Sequence, residues 1–253
     1  VWVPPDFLCQ TAPLLEDADV GLVNCFYCQP KAPTLAMRWV SLAINADFWT
    51  QVLQSNSLKP QDFALGAVML TRRRELEAIG GFDSYIGYLA DDYQLGHRIA
   101  RLGRRIELSP LVVECRSAPM TWRQVWGHQL RQGRTIRACQ PVPYFFSILN
   151  NVTLWSALWW LTSPGLLTAA GIGLAQLIRM ATATRSESRL CRSRAAWLYC
   201  WAIPIKDLLH AAVWAGSFLG NRVSWRGDEF ILRAGGRLER TPGTPGEGLE
   251  CSC

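Results

Sequence analysis

Acidic residues almost vanish between positions 143 and 220, although the 253-residue chain carries 20 of them. That stretch is apolar and rich in Trp, and its poverty in carboxylates excludes an ordinary solvated domain there. A second Cys-x-x-Cys pair is also missing. Cys25-Phe26-Tyr27-Cys28 has the spacing of half a zinc knuckle, but no partner pair follows at ligand distance, so a zinc module is excluded. Nine cysteines, an odd number without a visible framework, suit reduced thiols in the cytosol rather than a disulfide scaffold. The first half lacks a basic stripe interleaved with stacking aromatics, which excludes a nucleic-acid partner. A signal peptide is lacking too: the chain opens Val1-Trp2-Val3-Pro4-Pro5, a strand end followed by a turn, and the reading expects it to start inside a domain.

What is present divides into two unlike parts, which the mean hydropathy of +0.06 averages away. Residues 1–140 hold most of the acids and read as soluble α/β sequence; residues 141–220 read as membrane-embedded helices. The net charge of +6 comes largely from arginine clusters at 131–137, 179–194 and 222–240. Such clusters suit an anionic leaflet or a diphosphate. By the positive-inside rule all three belong on the cytoplasmic side.

Val20 to Val23 reads as a buried strand, Leu35 to Gln54 as an amphipathic helix, and Ala67 to Leu70 as a second buried strand. A short helix from Arg72 to Ile79 is stopped by Gly80-Gly81. Asp92 to Leu102 is predicted helical. Two short strands follow, Arg105 to Leu108 and Leu111 to Cys115, and then a helix from the N-cap Thr121 to about Arg137. Strands alternating with helices predict an α/β sheet with its site at the carboxyl ends of the strands. Tyr144 to Leu161 and Leu166 to Ile178, separated by Ser163-Pro164-Gly165, read as a hairpin or a partly embedded pair, the second being shorter than the ~20 residues of a full span. Ala195 to Leu219 carries Pro204, Lys206, Asp207 and His210 in its middle and reads as a broken or re-entrant element. Asn221 to Arg240 is expected to be cytoplasmic and packed near the catalytic region, and 241–253, with its Pro-Gly repeats, to be a disordered tail.

Asp91-Asp92 opens the helix that also carries His97, and His128-Gln129-Leu130-Arg131-Gln132-Gly133-Arg134 stands just before the apolar block. A carboxylate pair followed by cations beside a membrane element suits transfer of a sugar to a lipid. One carboxylate takes the proton of an acceptor hydroxyl, and the cations hold the departing diphosphate. Each feature has a plainer alternative: paired Asp at a helix start acts as a cap, and arginines beside an apolar segment mark its cytoplasmic end. Asp17-Ala18-Asp19 resembles a metal-binding pair but precedes its strand, where the carboxylates cannot be aimed at a strand-end diphosphate, so it reads as a solvated loop. Gly66, ahead of the second strand, either lets backbone approach sugar or acceptor or is an ordinary strand-entry glycine. His97, five residues beyond Asp92, falls on the other side of the helix and reads as structural.

Phe63-Ala64-Leu65-Gly66-Ala67-Val68-Met69-Leu70, Gly80-Gly81-Phe82 and Leu89-Ala90-Asp91-Asp92-Tyr93 resemble the second half of the ceramide glucosyltransferase family, closest to its bacterial hopanoid-associated branch, over Val3 to about Arg237. The resemblance implies a partial GT-A domain followed by membrane-associated helices, and an inverting transfer of glucose or N-acetylglucosamine from a UDP-sugar to the hydroxyl of ceramide or a hopanoid. It makes Asp92 the base, has Asp91 beside it cap the helix or steady the acceptor hydroxyl, and gives Arg131, His128, Gln132 and Arg134 to the diphosphate. The family's signature ends in Arg-Trp; here Arg131 is followed by Gln132, and an alternative register pairs Arg131 with Arg134. A divalent metal, Mg or Mn, would be held by an Asp-x-Asp pair upstream of Val1, so the chain is expected to be an inactive fragment of an active parent. The rival expectation is a truncated, non-catalytic membrane protein that only binds lipid or a partner.

Overall fold

The computed structural model describes residues 1–192, 194–225 and 227–241. After α1 (Phe7–Thr11) the chain enters β1 (Val20–Cys28), which is buried almost throughout because it is the middle strand of the order β2-β1-β3. β1 runs past the predicted Val20 to Val23 as far as Cys28 and carries the Cys-x-x-Cys pair inside the sheet, where Cys25 and Cys28 are buried free thiols. β2 (Met69–Thr71) is antiparallel to it and β3 (Arg105–Glu114) parallel. The two strands expected between Arg105 and Cys115 are one. Cys25 faces Ser109 but Phe26 faces Val112, so Pro110, which has no N–H for the ladder, and Leu111 bulge out without ending the strand.

α2 (Leu35–Leu42) starts on Thr34, whose hydroxyl accepts the Met37 N–H, and continues through a π-helical turn, Ala43–Phe48, into α3 (Trp49–Leu58). The wider turn swings Asp47 toward the C-terminal helices. α4 (Arg73–Ala78) follows β2, and α5 (Asp91–Arg101) precedes β3. α6 (Trp122–Cys139) begins at the predicted Thr121, which forms a reciprocal capping box with Gln124.

The apolar block departs from its sequence reading. Tyr144 to Leu161 is divided into α7 (Pro141–Phe146), a 3-10 turn and α8 (Val152–Thr162), whereas α9 (Leu166–Cys191) runs far beyond Ile178. Its charged half stays helical because Arg, Glu, Ala and Met are good helix formers and because Glu187 is paired with Arg38 at 3.0 Å. α9 is long and apolar enough to cross a membrane, with a mean hydropathy of 1.4 and 11% burial in its most apolar window. It packs antiparallel on α8, where Gln176 meets Thr153 and Ser156, and Gly171 lies against Trp159.

The segment read as broken is an intact helix, α10 (Ala202–Ser217), after a 3-10 turn at Arg194–Tyr199. Pro204 lies in its first turn, where a backbone N–H has no helical partner to lose. Lys206 and Asp207 are buried yet neutralised. Lys206 reaches Asp47, while Arg179 bonds Asp47 at 2.9 Å and Asp207 at 2.8 Å. Two cations and two carboxylates thus join the π-helical turn, α9 and α10. Beyond α10, β4 (Arg222–Trp225), β5 (Asp228–Leu232) and β6 (Leu238–Arg240) form an antiparallel sheet that packs on α6, as expected of a segment lying near the Asp pair. The tail reading for 242–253 lies outside the described residues.

Backbone meets backbone at Gly96 of α5: a Cβ there would stand 2.0 Å from the Ala64 amide nitrogen. Gly96→Ala should therefore cost about 1–3 kcal/mol by overpacking. Gly127→Ala, on a helix face with nothing within 4 Å, should gain about 0.5–1 kcal/mol. Chemical denaturation of both variants checks the contrast; a neutral Gly96→Ala would refute the close approach.

Candidate functional site

Asn24, fully buried on β1, organises the loop between α3 and β2. Its amide donates to the carbonyls of Leu65 (3.2 Å) and Val68 (2.7 Å), and its Oδ1 accepts the Leu65 N–H at 3.1 Å. Gln61 stiffens the approach by donating to the Phe63 carbonyl at 2.8 Å. Held in this way, residues 63 and 64 cross α5 at Gly96. One helical turn earlier on the same face, Asp92 meets Gly66. The Gly66 N–H donates to the Asp92 carboxylate, and a Cβ on Gly66 would come within 2.8 Å of Asp92 Oδ2.

Burial raises the Asp92 carboxyl above the usual carboxylate range; the Tyr93 and Gly66 N–H groups oppose the rise and the neighbouring Asp91 adds to it. The Tyr93 N–H donates to Asp92 Oδ1 at 2.7 Å. Asp91 stays exposed and accepts the Asp92 N–H at 3.0 Å; Ala90 occupies the N-cap position. Around Asp92 stand Tyr27, whose hydroxyl is raised by burial first and by Cys115 and Asp92 after it, and Cys139, whose thiol is pushed up to about 12 by burial and by Asp92. His97 stacks on Tyr93 with ring centroids 5.5 Å apart.

Cys139 shows which side of α6 faces Asp92. His128, Thr135 and Cys139 follow at spacings of seven and four, a single helix face that Arg131 and Gln132 flank. Burial, and then the Arg131 charge, lowers the His128 pKa, so His128 and Arg131 lie together; His128 Nδ1 is buried without a partner. Gln132 is exposed and accepts from the Gln129 amide at 3.3 Å. Arg134 turns away: its guanidinium donates to the Arg222 carbonyl on β4, beside Arg137, which bonds the Gly220 carbonyl at 3.1 Å. The structure thus brings Asp92 to Gly66 and His128 to Arg131, and sends Arg134 elsewhere. Asp17 is exposed, caps the Asp19 N–H at 2.9 Å and pairs with Arg105 at 2.9 Å.

A clamp absent from the sequence reading fastens the start of α5. The Leu89 N–H donates to the Gly236 carbonyl at 2.9 Å, the Leu238 N–H to the Gly87 carbonyl at 2.7 Å, and the Gln94 amide to the Gly235 carbonyl at 2.9 Å. The paired glycines Gly235-Gly236, both at positive φ, were the available signal. Among the described residues no group of three or more His, Cys, Asp or Glu side chains could hold a metal ion.

The comparison with known families gives this frame its class, a glycosyltransferase acting on lipid. The chain belongs to glycosyl transferase family 21, the ceramide glucosyltransferase family, whose model matches residues 1–238. The family's reaction joins a sugar donor to a lipid acceptor. No curated protein matches the chain significantly.

Asn24→Ala should leave the Leu65 N–H and the Leu65 and Val68 carbonyls short of partners and destabilise the protein by about 1–3 kcal/mol. Denaturant titration measures the loss. Accelerated amide exchange at Leu65 and Gly66 would place it in the loop, and unchanged exchange there would remove Asn24 from its organising role.

Proposed function

We propose that the protein belongs to a membrane-associated, inverting transferase that moves a hexose or N-acetylhexosamine from a UDP-sugar to the hydroxyl of a ceramide-like or hopanoid lipid, with Asp92 as the base. The observation that supports this most directly is the Asp92 carboxylate: largely buried, raised by burial, yet oriented by the Gly66 and Tyr93 N–H groups. An acceptor hydroxyl placed against it loses its proton to the carboxylate as its oxygen attacks the sugar carbon opposite the departing diphosphate. Arg131 carries the positive charge that steadies the leaving group, and His128, with Nδ1 unspent, adds a polar contact beside it. Arg134 has no part in this step because it is committed to β4. The divalent metal that such donors call for is assigned to no described residue.

The rows of exposed Trp and Leu on α8 and α9, among them Trp159, Trp160, Leu166 and Leu167, support a seat in the bilayer with the catalytic part on the cytoplasmic face. A parallel pair, β1 and β3, with the base at the start of the helix that leads into β3, supports the GT-A reading.

Asp92→Asn should lower transfer by ~10²- to 10⁴-fold with donor affinity kept. Retention of more than about a tenth of turnover would remove Asp92 as the base. Because only the ionised carboxylate accepts the proton and its pKa is raised, transfer should fall with decreasing pH at values above the ordinary Asp range of about 4. A pH–rate profile of kcat/KM reads this directly; an acid limb at or below that range would contradict the burial argument. Arg131→Ala should reduce turnover in detergent more than Arg185→Ala, an exposed arginine on α9.

A further inference from the structure

A groove of about 470 Å³ opens between the end of α6, α7 and the β5–β6 hairpin. Val142, Phe145, Phe146, Phe218 and Leu232 give it an apolar lining, and Phe145 and Phe146 keep more than half of their surface exposed. Arg137 enters it from α6, its guanidinium 5.3 Å from the centre of the Phe218 ring.

Arg137 and Arg134, one turn apart on α6, converge on the turn at Gly220–Arg222. Their partners are uncharged: the Arg222 carbonyl for Arg134, and the Gly220 carbonyl and Asn221 side-chain oxygen for Arg137. Among the described residues neither meets a carboxylate, and the Nε of each is buried without a partner. Two like charges close together in a half-buried place repel each other unless an anion joins them. Across the groove Arg233 differs, since Glu239 neutralises it at 2.5 Å. The unmet demand is for a negative charge at the α6 wall, next to aromatic side chains that continue into the exposed apolar faces of α7 and α8.

We propose that this groove binds one anionic glycerophospholipid, its phosphate between Arg134 and Arg137 and an acyl chain along Phe145, Phe146 and Phe218. The inference rests on the membrane-associated reading above but assigns a second lipid, not the acceptor. The acceptor is a neutral alcohol and leaves the two guanidiniums uncompensated, whereas a phosphodiester supplies both a charge and oxygens for their N–H groups. Cys139, one residue beyond the groove-lining Ala138, touches Gly236 beside Asp92.

The test uses the full chain purified in mild detergent, exposed to mixed phosphatidylcholine and phosphatidylglycerol, and examined by native mass spectrometry. The expected result is one phosphatidylglycerol retained per chain in preference to phosphatidylcholine. Arg134→Gln/Arg137→Gln should weaken retention roughly 25-fold, taking about five-fold per basic residue. Arg185→Gln/Arg189→Gln, which removes the same charge from exposed positions on α9, should leave it unchanged. Val142→Trp fills the groove mouth with both guanidiniums intact and should also expel the lipid, so a folding defect in the first variant does not decide the matter. Equal retention of the two lipids, equal loss in the α9 variant, or full retention in Val142→Trp each overturns the proposal. Asp92→Asn separates it from the catalytic reading, because that variant should lose transfer and keep its phospholipid.

Discussion

The approach of residues 63 and 64 to α5 at Gly96 is the constraint on which the site depends. Only hydrogen fits between the helix and that backbone, and the Asn24 carboxamide, reaching across from the central strand, holds the loop at that distance with Gln61 beside it. From these two facts the position of Gly66 follows, and from Gly66 the orientation of Asp92. The carboxylate is consequently fixed by backbone on two sides, the Gly66 loop and the start of its own helix, and the turn at Gly235-Gly236 fastens that helix start in its place. A carboxylate held in this way is oriented in advance, while its burial raises its pKa.

A second constraint couples this domain to the apolar helices. Arg179 and Lys206, on helices that otherwise present Leu and Trp to their surroundings, would be costly if unpaired. Asp47, delivered by the π-helical turn, and Asp207 balance them. The same turn that distorts the helix is thus what allows the catalytic domain to supply a counter-charge, and Arg38 with Glu187 repeats the arrangement one helix face away.

Much of this was legible in the chain. The cap at Thr121, the start of α5 at the Asp pair, and the solvated Asp17 and Asp19 are local matters, decided by residues within a few positions of one another. Pattern failed where partners are distant. Lys206 and Asp207 look like helix interruptions until Asp47 and Arg179 are beside them, and Pro110 looks like a strand end until the bulge opposite Phe26 is seen. Gly96 and Asn24 carry no motif at all, because their importance lies in what a loop distant in sequence does to them. Arg134 was grouped with Arg131 by spacing, yet its guanidinium is held by the Arg222 carbonyl on β4, a partner 88 positions away that spacing does not reveal.

The distances along the chain between those partners carry a further consequence. Asp47 joins residues 132 and 159 positions later, and Gln94 holds a carbonyl 141 positions later. During synthesis the sheet and α5 emerge long before anything exists to cover Asp47 or to fasten the start of α5. Contacts of such long separation form late and slowly. Until α9, α10 and the β4–β6 sheet have been made and docked, the nascent protein carries an uncompensated carboxylate on its π-helical turn and a loosely tethered start of α5, so the surroundings of Asp92 are completed only in the closing stage of its assembly.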